Sequence, residues 1–171
     1  MLLDAGADPT MDIGRDYRSA LHVACQEGNV LMISIFCEHV FQEGVELLNK
    51  RIGGKTPMDC ALRSNSLSAV QFLVAYGATR PVITTATDRS IRLWLEHTKH
   101  YTTSLHYLDI LDADWARRLI ETYSADIHAC ALNGGPSPLS IALQLQKDGL
   151  AEKGTSAYEV IVASNQSQPT K

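Results

Sequence analysis

The chain has 171 residues, 45% of them hydrophobic and 20% charged, values of an ordinary globular protein that exclude collagen, a disulfide-stapled miniprotein and a disordered chain. Split at residue 85, the halves carry 7 basic against 9 acidic and 8 against 10 side chains, so neither has the basic surface of a nucleic-acid-binding domain. Apolar runs such as residues 30–33 and 35–37, parted only by Ser34, fall far short of the roughly 20 residues that a membrane-spanning helix needs.

In chain order, the opening Leu2-Leu3-Asp4-Ala5-Gly6-Ala7-Asp8-Pro9 has no basic or apolar leader region, so no secretory signal is expected and cytoplasm or nucleus is the expected compartment. Ser19-Ala20-Leu21-His22-Val23-Ala24 then opens a pattern that returns as Thr56-Pro57-Met58-Asp59-Cys60-Ala61, Thr103-Ser104-Leu105-His106-Tyr107-Leu108 and Ser137-Pro138-Leu139-Ser140-Ile141-Ala142, at separations of 37, 47 and 34 residues. Closing phrases alternate with these: 2–9 is followed by Phe72-Leu73-Val74-Ala75-Tyr76-Gly77-Ala78-Thr79 and by Leu119-Ile120-Glu121-Thr122-Tyr123-Ser124-Ala125-Asp126.

Each opening phrase predicts a helix start. Ser19, Thr56, Thr103 and Ser137 supply capping oxygens, and Pro57 and Pro138 occupy the first helical position, where no amide is needed. Leu21 and Ala24, Met58 and Ala61, and Leu139 and Ala142 set a large and a small apolar group one turn apart, which lets neighbouring helices approach closely. Gly28 and Asn65 mark breaks suited to a left-handed backbone. Second helices follow, with Val30, Ile33, Phe36 and Cys37, then Leu67, Val70, Leu73 and Val74, as apolar stripes. The four cysteines, spaced 12, 23 and 70 apart with no C-x-x-C, are expected as reduced, small hydrophobic residues.

Taken together the two phrases resemble the ankyrin repeat, a unit of about 33 residues that opens T-P-L-H-x-A and closes L-L-x-x-G-A-D. The resemblance covers residues 2–165. It implies an all-α helical repeat solenoid with short β-turn fingers: 1–18 ends a truncated repeat, 19–55 and 56–81 are repeats, and 82–102 is an inserted or degenerate helix. Residues 103–136 and 137–165 are further repeats, and 166–171 is a disordered tail. In such units His22 and His106 tether the helix start to the preceding turn, with Asp59 and Ser140 as short polar imitations. The truncated first unit leaves the first complete one without a polar cap, so either the chain starts upstream or the array frays there.

Several departures stand out. The unit opening at Ser19 is lengthened by residues 38–46, so its second helix is expected to run on or to be followed by an extra turn. Asp88 should cap a helix that packs Ile91, Trp94 and Leu95 on one face. The unit at Thr103 is expected to be distorted, with Leu108-Asp109 in place of the Ala-Ala pair and Trp115 partly exposed. Tyr158, Ile161 and Val162 predict a last helix reached through Gly149 and Gly154.

No enzymatic arrangement is supported. Gly54-Lys55-Thr56 imitates the end of a phosphate loop, but Asn49 stands where its first glycine must be. Glu96, His97, His100 and His106 are the one dense set of metal-ligand types, without cysteine and in the least regular stretch. A metal- or nucleotide-dependent enzyme is therefore a remote alternative; no catalytic residue, metal or cofactor is expected.

The resemblance implies a protein-binding adaptor or scaffold that presents its turns and first helices to a partner. On this chain the implied contact positions are Arg15, Arg18, Gln26, Glu27, Lys50, Arg51, Ile52, Lys55, Arg63 and Ser64, with Thr102 and Pro136 before the later caps. Six of these are cations, which points to an acidic or phosphorylated segment; the competing reading is a solvated edge neutralised by Asp12 and Asp16. A monomer is expected, or else part of a larger chain in which the repeats act in cis as a regulatory or structural piece.

Overall fold

A computed structural model describes residues 6–11, 19–43, 45–147 and 157–167. Among them are eight α-helices and no strand, so the fold is all-α. No helix of the described residues is long and apolar enough to cross a membrane. The chain divides into two compact units, residues 1–97 and 98–171.

The first unit holds α1 (Ala20–Glu27), α2 (Val30–Glu43), α3 (Pro57–Arg63), α4 (Leu67–Ala75) and α5 (Arg89–His97). Helices α1 and α3 pack side by side as first helices, and α2 and α4 as second helices; α5 packs on α4. The expected caps form. Ser19 Oγ accepts from the His22 amide, while Thr56 and Asp59 close a reciprocal box in which Asp59 N–H donates to Thr56 Oγ1 (3.1 Å) and Thr56 N–H to Asp59 Oδ2 (2.8 Å). Gly28 (φ 64°) and Asn65 (φ 51°) take the left-handed backbone that ends α1 and turns the chain out of α3. A Cβ at Gly28 would also meet Ser66 Oγ at 3.0 Å, so the side chain that caps α4 would have to shift slightly to admit one.

The lengthened repeat does both things expected of it: α2 runs to Glu43, and a 3-10 turn, Val45–Asn49, follows. Leu21, Cys25, Ile33, Cys37, Leu48, Ala61, Val70 and Leu73 form a core between the helices, whereas Val30, read as part of the α2 stripe, is exposed. Asp88 caps α5 as expected, accepting from Ser90 N–H (2.8 Å) and Ile91 N–H (3.3 Å). Ile91 and Leu95 are buried, but Trp94 is only half-covered, with the Arg80 guanidinium 5.9 Å above its ring.

The second unit holds α6 (Ala113–Glu121), α7 (Pro138–Lys147) and α8 (Ala157–Ser167), with α8 packed against both others. Its first opening phrase makes only a 3-10 turn, Ser104–His106, followed by turns to Leu111. Asp112 caps α6 through the Trp115 amide (2.6 Å). Trp115 is 1% exposed, against the expectation of partial exposure, because α6 turns Trp115, Ala116 and Leu119 inward and leaves Arg117 outside, paired with Asp114 at 2.7 Å. Of the expected tail, Gln166 and Ser167 are still helical, and residues 168–171 lie outside the described residues, as do Gly149 and Gly154. Cys25, Cys37 and Cys60 are buried free thiols, while Cys130 is exposed rather than packed as a small hydrophobic residue.

Candidate functional site

The link from the 3-10 turn to α3 forms a tight turn of its own. Ile52 and Lys55 exchange two backbone hydrogen bonds (2.9 and 3.2 Å) around Gly53 and Gly54, whose φ of 58° and 78° make a turn that only glycine enters without strain. This two-residue finger is what the Gly54-Lys55-Thr56 run builds. Arg51 Nη1 donates to the Gly54 carbonyl (3.0 Å) and stiffens it from outside.

The finger is held from within by His22, which is 1% exposed. Its Nδ1 lies 2.7 Å from Ser19 Oγ and its Nε2 3.0 Å from the Lys55 carbonyl oxygen. A carbonyl only accepts, so Nε2 carries the proton. The ring therefore ties its own helix start to the finger that follows, 33 residues on; the turn before Ser19, to which the repeat pattern led us to expect a tie, lies outside the described residues. His106 repeats the device. Nδ1 accepts from Thr103 N–H (3.3 Å) beside Thr103 Oγ1 (2.8 Å), and Nε2 donates to the Pro136 carbonyl (3.2 Å). Burial lowers the His106 pKa below its ordinary value, against the opposing effect of its hydrogen bonds to Pro136 and Thr103. Both ring nitrogens are thereby engaged in holding backbone.

Asp59 and Ser140 imitate only half of this. Asp59 caps α3, and the Ser140 hydroxyl donates to the Ser137 carbonyl (2.8 Å), both local bonds at a helix start. A short side chain closes a cap but does not span to the next finger.

Between the two first helices lies a recess of about 370 Å³ lined by Gln26, Glu27, Lys55, Cys60, Arg63 and Ser64. Five of the ten positions implied by the repeat pattern meet there: two follow α1's small pair, two follow that of α3, and Lys55 ends the finger. Gln26, Glu27, Lys55, Arg63 and Ser64 are all exposed. Ser64 also has a structural part, since its hydroxyl lies 3.2 Å from the Cys25 carbonyl of α1 and bridges the two helices. Cys60, buried at the floor, was not singled out as a contact position; it follows Asp59 on the helix that forms one wall.

The remaining positions are not gathered in this recess. Ile52 is 7% exposed and belongs to the core, because the finger's antiparallel pairing turns its side chain inward; it is withdrawn as a contact residue. Lys50 and Arg51 are exposed at the base of the finger, and Lys50 contributes to holding the Asp8 carboxyl below its ordinary value, an effect led by the Thr10 hydroxyl. Arg15 and Arg18, and the neutralising Asp12 and Asp16, lie outside the described residues. Thr102 and Pro136 are exposed in the second unit.

A family model described as ankyrin repeats (3 copies) matches residues 1–84. Neither the curated proteins nor the solved structures gave a match.

Proposed function

Because residues 1–84 belong to the ankyrin repeat family, whose members are generally protein-binding and typically non-enzymatic, we propose that this chain is an adaptor that grips a partner protein across the α1–α3 recess. The observation that carries this reading is the meeting of Gln26, Glu27, Lys55, Arg63 and Ser64, from two successive repeats, around one concavity. The stiffened finger supports it, since a preformed surface loses little ordering entropy on association. Lys55 and Arg63 against the single Glu27 favour an acidic or phosphorylated segment at this site. Buried free thiols at Cys25, Cys37 and Cys60 are in keeping with a reducing compartment, cytoplasm or nucleus.

The test is affinity capture with the full chain and with a Gln26→Ala, Lys55→Ser double variant, followed by mass spectrometry. Recovery of specific partners should fall about tenfold in the variant, the size expected when about 1.4 kcal/mol of interface energy is lost. Undiminished recovery would exclude this recess as the contact surface.

A further inference from the structure

The α1–α3 recess is bordered by three charges that do not answer one another. Lys55 precedes the cap of α3 and Arg63 is the last residue of that helix, so a cation stands at either end of the wall whose floor residue is Cys60. Among the described residues neither the Lys55 ammonium nor the Arg63 guanidinium makes a hydrogen bond or an ion pair. Glu27, the one carboxylate in the lining, pairs with neither.

Carbonyls at the ends of α1 and α3 carry partial negative charge, which would disfavour an anion nearby. Here caps engage them. The Ala24 and Cys25 oxygens accept from Asn29 N–H (3.0 Å) and Gly28 N–H (3.4 Å), and the Cys60 and Ala61 oxygens from Ser64 N–H (3.2 Å) and Ser66 N–H (3.1 Å). The Ser64 hydroxyl, 3.2 Å from the Cys25 carbonyl, joins the two walls, so the space exists before a partner arrives.

A recess of about 370 Å³ has room for one anionic side chain more readily than for two. Two carboxylates set there would repel each other as they met the two cations. A phosphate monoester carries about −1.5 to −2 in a single group at neutral pH, with oxygens that suit both the fork of an arginine and the point charge of a lysine. It meets both cations without that repulsion. Glu27 has the opposite requirement, which a basic side chain next to the phosphate satisfies.

With the recess as the adaptor's contact surface, a reading on which this inference rests, we propose that it receives a phosphorylated serine or threonine of the partner protein. The phosphate sits between Lys55 and Arg63, and a basic residue of the same segment lies against Glu27.

The experiment presents the immobilised full chain with three synthetic peptide pools, degenerate on both sides of a fixed phosphoserine, glutamate or serine. The phosphoserine pool should be retained about tenfold more than either of the others, with its retained members enriched in Lys or Arg. Single phosphopeptides from it should bind about tenfold more weakly to Lys55→Ser and to Arg63→Gln, exposed positions whose variants are checked for an unchanged melting temperature. Equal retention of the glutamate pool, or phosphopeptide binding that survives both substitutions, would overturn the proposal. Retained phosphopeptides without basic residues would overturn the contact assigned to Glu27. Partners lost from the Gln26→Ala, Lys55→Ser variant, yet captured undiminished from a phosphatase-treated lysate, would remove the phosphate and leave the recess as the contact surface. Recovery undiminished by that variant overturns both.

Discussion

The two units are held by the same histidine but built on first helices of very different quality. In the first unit His22 opens an eight-residue helix; in the second, His106 opens a single 3-10 turn. Yet the tethers nearly superimpose in length, 2.7 and 3.0 Å for His22 against 2.8 and 3.2 Å for His106. The difference lies just downstream. Ala24 and Cys25 are small and buried where α1 meets α3, whereas the corresponding Leu108 and Asp109 are a large apolar side chain and a charge. Continuing the helix would bury Asp109 without a partner, so the backbone turns at Tyr107 (φ −95°, ψ 54°) and leaves the carboxylate exposed. Tyr101 then covers the short turn, its ring 5.2 Å from those of both His106 and Tyr107. The tether thus needs only one turn of helix, and close helix packing needs the small pair.

The strongest way to break this comparison is to remove what compensates the second unit for its missing helix. Trp115, stacked at a tilt on Tyr123, fills that core, and Trp115→Ala should cost about 3–5 kcal/mol in urea unfolding. Fast hydrogen exchange across α6, α7 and α8 should accompany it; a loss under about 1 kcal/mol would show that the second unit's core lies elsewhere.

His22→Asp sharpens the comparison by giving the first unit the tether of the unit after it. The new carboxylate should still cap α1, as Asp59 caps α3, but the Lys55 carbonyl loses its donor, at about 1–3 kcal/mol. Amides of Ile52 and Lys55 should exchange faster while those of α1 hold. Equal acceleration in both would mean that the histidine's span to the finger matters no more than its cap.

The smallest effect is in pH. Because burial lowers the His106 pKa below 6.5 in the folded chain, the unfolded chain binds its proton first as pH falls. The stability held by the neutral ring is complete above about pH 6.5 and is lost as pH drops through the lower folded value. Acid should therefore loosen α7 and the Pro136 segment, and His106→Gln should flatten that dependence in a melting series from pH 7.5 to 5.

Much of this was legible in the residues. The caps at Ser19, Thr56, Asp88 and Ser137, and the left-handed Gly28 and Asn65, follow from local chemistry, and the structure has each where the chain called for it. So was most of the lining of the α1–α3 recess, since Gln26, Glu27, Arg63 and Ser64 after each small pair, and Lys55 before a cap, recur with the repeat. What escaped depends on groups far apart in sequence. Ile52 reads as a turn tip until its pairing with Lys55 fixes which way it points. Trp115 reads as misplaced until α6 sets its register.

The direction of the histidine bonds gives the chain a grammar. Each histidine reaches forward, so a finger is positioned by the repeat behind it and each unit prescribes the start of the next. Asp59 does not reach, and after it the chain has no finger but a strap, without helix from residue 76 to 88. Where that side chain is too short to span the gap, the array passes from finger to strap, and irregular chain stands where an unbroken series of repeats would have set another first helix.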